Sequence, residues 1–104
     1  MNDQTGLPTS PEQLLACAAR ADRSKHILCL FLAIDREEIE ADLGKVLARA
    51  LRRVPAGRPL RRERDRKIVR AVSLLVPDMD PADRRLKELR LRLRDAERRA
   101  GLSR

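Results

Sequence analysis

The sequence predicts an all-α protein, a small bundle of four to five helices whose C-terminal helix is available for dimerisation. Three observations carry this reading. Apolar residues recur at three- and four-residue spacing in several separate stretches. The six prolines fall in the N-terminal tail, in connections or at first helical positions. The one unbroken apolar run, Ile27-Leu28-Cys29-Leu30-Phe31-Leu32-Ala33-Ile34, lacks Val, Thr and Tyr and follows the alanine-rich segment Leu14 to Ala21, a composition that favours helix over strand. This run holds the only aromatic residue and is expected to form the innermost layer, between the third and fourth helices.

Residues 1–9 contain Gly6 and Pro8 without periodicity and read as a loose tail, leaving 10–104 as a single helical domain. Ser10-Pro11-Glu12-Gln13 is a helix start, with a serine cap, proline at the first position and glutamine where a capping box needs it. A first helix over about 11–21 and a second over 24–34, separated by a kink or short break, follow from it. Asp35 and Glu38 repeat the cap pattern, and Ile39, Leu43, Val46, Leu47, Ala50, Leu51 and Val54 share one face. Acidic residues come early in this segment and basic ones late, in the order the helix dipole favours, so one helix over 36–54 is expected. Pro55-Ala56-Gly57-Arg58-Pro59 breaks the chain. A fourth helix over 60–76 carries Ile68, Val69, Val72, Leu75 and Val76, and a fifth over 81–100 starts at an Asp80 cap with Pro81 and stops at Gly101.

Charge is distributed unevenly. The net charge is +8, yet residues 1–50 sum to −2 and residues 51–104 to +10. That asymmetry points the second half at a polyanion, whether nucleic acid, an acidic protein or an anionic membrane, and of these nucleic acid or an acidic protein is the expected partner. The densest segment runs from Arg52 to Arg70, where Arg52, Arg53, Arg58, Arg61, Arg62, Arg64, Arg66, Lys67 and Arg70 face only Glu63 and Asp65. Guanidinium groups suit bidentate phosphate contact. With one Phe and no Trp or Tyr, stacking of unpaired bases on aromatic platforms is excluded as a mode of recognition. The competing reading is a solvated, partly self-paired helix start. A small nucleic-acid-binding or regulatory protein is the expected function. The alternative is an interaction module, an adaptor, inhibitor or chaperone-like subunit, laying its last helix on an acidic partner or a second copy through Leu86, Leu89 and Leu93 flanked by Arg85, Arg90 and Arg92.

Arg36 to Val54 resembles a helix-turn-helix unit, with Gly44 at the turn and Arg49, Arg52 and Arg53 in the recognition helix that the resemblance implies. Glu40 stands where that motif packs a small residue, and Lys45 follows Gly44 in place of a capping Ser or Thr. A single helix tolerating a glycine is therefore expected. His26 lies at helical spacing from Asp22 and Cys29, but no further ligand completes a metal set, and no catalytic constellation or phosphate-binding glycine loop occurs. Neither enzymatic activity nor a cofactor or metal is expected. Eight apolar residues cover about 12 Å of helix against roughly 30 Å of hydrocarbon, so no membrane crossing is expected, and the run lacks a signal-peptide cleavage pattern. Cys17 and Cys29, about 18 Å apart if one helix holds both, read as free thiols of a cytoplasmic protein.

Overall fold

A computed structural model describes residues 10–102, and the N-terminal tail expected over 1–9 lies outside them. Among the described residues the chain forms five α-helices and no strand: α1 (Pro11–Leu32), α2 (Arg36–Ala41), α3 (Leu43–Arg53), α4 (Glu63–Leu75), a 3-10 turn (Val76–Asp78) and α5 (Leu86–Arg99). The all-α bundle is thus present, with element boundaries that depart from expectation in instructive ways.

Helix α1 begins as its sequence requires. Ser10 Oγ accepts from the Gln13 amide at 3.2 Å and Pro11 occupies the first turn. The break expected near Asp22 to Lys25 does not occur. No proline or glycine interrupts that segment, and the Asp22 carboxylate accepts from the Arg36 guanidinium instead of capping a new helix. The helix ends at Ala33, the only non-glycine residue with positive φ among those described, and the Ile34 amide returns to the Cys29 carbonyl at 3.2 Å.

The segment expected as one helix over 36–54 is two. A capping box at Asp35 and Glu38 starts α2, with the Glu38 carboxylate accepting from the Asp35 amide at 3.0 Å. At Asp42 the chain turns extended (φ −155°, ψ 85°) and the carboxylate accepts from the Lys45 amide at 3.1 Å, capping α3. Arg85 then grips Asp42 from 43 residues away, at 2.8 and 3.2 Å, while also binding Asp83 at 2.7 and 3.0 Å. Gly44 sits beneath this clamp: a Cβ there would lie 2.8 Å from Arg85 Nη2 and 2.9 Å from Met79 Cε. It is a packing glycine inside α3 and not a turn residue. A six-residue α2 joined to α3 by one residue is also unlike the three- to four-residue turn of a helix-turn-helix pair.

The fifth helix starts at Leu86, not 81, because Asp80 accepts from the Ala82 amide and Asp83 from the Arg85 amide, both at 2.9 Å. These short-range bonds offer the backbone an alternative to the helix. The fourth starts at Glu63 rather than 60, since the Leu60 amide donates to the Arg99 carbonyl at 2.9 Å. Gly101, at positive φ, stops α5 as expected, with the Leu102 amide closing on the Glu97 carbonyl at 2.7 Å.

Helix α4 occupies the centre. It packs on α1, α3 and α5, and Ile68, Val69, Val72 and Leu75 are fully buried. The apolar run in α1 is therefore not the innermost layer. At 100° per residue, the six helical residues of the run already encircle the helix, and its neighbours α4 and α2 cover only part of that circumference. Leu28 and Leu32 are buried, Ile27, Cys29 and Phe31 are half-buried, and Leu30 remains 63% exposed. The helix also outruns its support. Arg64 at the start of α4 touches Phe31 near the end of α1, and the two run antiparallel until α4 ends opposite about Arg20. The preceding turns are exposed apart from half-buried Cys17 and extend about 14 Å further.

Two outcomes follow from this packing. Leu28→Ala should lower the unfolding free energy by about 2–5 kcal/mol, whereas Leu30→Ala should change it by less than about 0.5 kcal/mol; comparable losses in urea titrations would contradict the assigned faces. Hydrogen bonds from Arg85 hold the Asp42 carboxyl below its usual range and bring Asp83 from 3.8 down to about 2. A depressed folded pKa confers stability above the unfolded value that is lost as pH falls toward the folded one. Stability should accordingly decline from about pH 4 to about pH 2, and Arg85→Gln should remove much of that slope.

Candidate nucleic-acid interface

Of the nine cations singled out in the sequence, Arg52 and Arg53 occupy the exposed last turn of α3, where the helix dipole favours them. Arg58, Arg61 and Arg62 lie on the connection to α4 and, with Pro55, Pro59, Leu60 and Asp65, line a depression of about 370 Å³. This connection is held rigidly. Arg99, mostly covered, donates to the Pro55 and Arg58 carbonyls while Asp95 accepts from its Nε at 2.8 Å. Its own carbonyl takes the Leu60 amide, and the Leu60 side chain is buried. Those anchors fix the shape of a loop whose prolines already restrict its backbone.

The structure separates the remaining cations. Arg64 stands 5.7 Å from the centroid of the Phe31 ring and donates to the Phe31 carbonyl at 3.3 Å, so its charge is spent on the end of α1. Arg66 is half-buried, and its Nε has no acceptor among the described residues. Arg70 pairs with Glu63 at 3.3 Å. Lys67 and Arg70 turn toward α1, where Arg20 and Arg23 join them along a second groove. Sequence reasoning missed those two α1 cations because only the antiparallel register of α1 and α4 brings them alongside.

Carboxylates are largely committed elsewhere. Ion pairs among the described residues engage Asp22, Glu40, Asp42, Glu63, Asp83, Glu88 and Asp95, and only Glu63 neutralises one of the nine. Asp65 is 8% exposed at the third position of α4, within the positive end of the helix dipole. Arg61, Arg62 and Arg64 oppose that same dipole, and α4 begins with no side-chain cap. Cations so placed detract from helix stability.

The expected partner seam on α5 is corrected by burial. Leu86, Leu89 and Leu93 belong to the core, facing α3 and α4. They cannot also form an exposed dimer or partner face in this fold. Arg85 is occupied by Asp42 and Asp83, Arg92 pairs with Glu88 at 3.2 Å, and Arg90 is exposed. The outward side of α5 presents Leu91 between Lys87 and Arg94 instead. His26 is exposed, and no group of three potential ligands for a metal ion occurs among the described residues. Cys17 and Cys29 are half-buried free thiols, and no described helix is long and apolar enough to cross a membrane.

No protein-family model, curated protein or solved structure matches this chain.

The anchoring role of Arg99 has a direct readout. Arg99→Ala should leave the helical circular dichroism in place while tryptic cleavage after Arg61 and Arg62 accelerates by about ten-fold, through local opening of the connection. An unchanged cleavage rate would remove Arg99 as the anchor.

Proposed function

We propose that this protein binds nucleic acid through the phosphate backbone, with Arg52, Arg53, Arg58, Arg61 and Arg62 as the principal contacts, and that it acts as a small regulatory or architectural binding protein. The observation that carries this reading is the set of exposed arginines around a pinned loop with no carboxylate in ion-pair reach among the described residues. Three of them line a concave surface with Asp65 as its one carboxylate, and the excess positive charge concentrates its field there. The arginines at the start of α4 oppose its dipole, a local cost that an external anion would offset. Such a cluster supplies charge and hydrogen-bond donors but no nucleophile with a base. Binding is therefore a better description than catalysis. Phosphate contacts position a protein without reading sequence, so duplexes of different sequence should bind alike.

The test is titration of 25-base-pair duplex DNA and duplex RNA, followed by fluorescence anisotropy between 50 and 300 mM salt. With about five phosphate contacts, log K should fall against log salt with a slope of roughly −4 to −5, and the Arg58→Gln/Arg61→Gln/Arg62→Gln protein should lose about 2.7 from that slope. Absence of binding to either duplex at 50 mM salt would overturn the proposal.

A further inference from the structure

Helices α1 and α4 enclose a groove of about 350 Å³ at a distance from the arginine loop. Its walls are two quartets, Arg20, Arg23, Ser24 and Ile27 on α1 and Lys67, Arg70, Ala71 and Leu74 on α4. Both follow the spacing i, i+3, i+4, i+7 and both read, in chain order, cation, cation, small residue, branched aliphatic residue. Because the helices are antiparallel, the pattern has a local two-fold symmetry. Arg20 lies across from Leu74, Lys67 across from Ile27, and the small pair Ser24 and Ala71 meets at the middle. We propose that this groove receives an amphipathic helix of a partner protein, with an apolar stripe flanked on both sides by aspartate or glutamate.

Four features favour that occupant. The quartets extend over seven residues, about 10 Å, which is two turns of a seated helix. Ser24 and Ala71 are buried and small, so the floor is lowest where an incoming helical ridge must come closest. Leu74 is 37% exposed and Ile27 half-buried, leaving apolar area at both ends for a partner to cover. Cations stand on both walls, and the single carboxylate among them, Glu63 on Arg70, is an exposed pair of little net strength that a partner can exchange. A phosphate strand would meet the cations but also the aliphatic floor, which has no aromatic ring for a base. A bilayer is flat and would leave a concave floor unfilled. This surface shares no residue with the principal phosphate contacts proposed above, so the two proposals stand or fall separately.

The probe is a fluorescein-labelled synthetic 18-residue peptide with leucines at i, i+3, i+4, i+7 and glutamates flanking them, beside an isomer of identical composition with the leucines scattered. With the full-length protein at 50 mM salt, the amphipathic peptide should bind about ten-fold more tightly than the isomer. Leu74→Asp and, separately, the exposed-site change Lys67→Glu should each weaken it by about ten-fold or more through like-charge repulsion. The Arg58→Gln/Arg61→Gln/Arg62→Gln protein should bind it within about two-fold of the original. Thermal melts followed by circular dichroism verify folding, and Lys67→Glu carries the test should Leu74→Asp prove unstable. Equal affinity for the two peptides, no binding of the amphipathic one, or loss confined to the loop variant would overturn the assignment. So would vesicles of phosphatidylglycerol and phosphatidylcholine, or duplex DNA, binding in a groove-dependent way while the peptide does not.

Discussion

With one phenylalanine and no tryptophan or tyrosine, this chain must fill its interior with aliphatic groups, and it does so by burying one helix on several sides. Val, Ile and Leu side chains each bring modest volume, so a stable interior needs many of them converging on a shared axis. Helix α4 provides that axis. Its second half is fully buried at Ile68, Val69, Val72 and Leu75, and α1, α3 and α5 close around it. The first turns of the same helix are charged, and apart from buried Asp65 and half-buried Arg66 they are exposed. One end thus belongs to the core and the other to the surface, which places a dense group of arginines at a defined point on a rigid body.

Carboxylates in this protein are used for local tasks. Asp42 and Asp83 hold Arg85 over Gly44, Asp95 orients Arg99, and Asp22 ties α1 to the start of α2 through Arg36. The exposed ones among these pairs individually contribute little to stability, while Arg99 and Asp83 are mostly covered; each pair fixes the geometry of a connection or of the side chain that holds it. What remains is cationic surface of two kinds. Around the loop it is a depression edged by prolines and arginines; between α1 and α4 it borders a larger share of aliphatic carbon. The chemistry suited to each is different, and the fold keeps them apart along α4.

The helical class, the Ser10-Pro11 start, the Asp35 and Glu38 cap and the Gly101 stop were all legible in the sequence because their causes are local, lying within five residues of one another. The departures have two sources: local side-chain bonds at Asp80 and Asp83, which delay α5, and long-range partners elsewhere. Asp42 ends α2 because it caps α3 and is gripped by Arg85, far away in the chain. Asp22 fails to divide α1 because Arg36 occupies it. Leu60 is drawn off α4 by the carbonyl of Arg99. The candidate site divides in the same manner. Arg58, Arg61 and Arg62 were recognisable as a cluster by adjacency alone, whereas the alignment of Arg20 and Arg23 with Lys67 and Arg70 required knowing that α1 and α4 are antiparallel. The leucines of α5 formed a convincing stripe, but periodicity cannot say whether a stripe faces its own bundle or another molecule.

The unsupported first turns of α1 have a mechanical consequence. The helix continues unbroken from its solvent-exposed turns into the seam against α4, with no proline or glycine between Glu12 and Leu32. Any molecule grasping Leu14 and Leu15, both largely open to water, would exert torque on Leu28 and Leu32 rather than merely swing a tether. A load on those turns would reach the interior along one continuous helix.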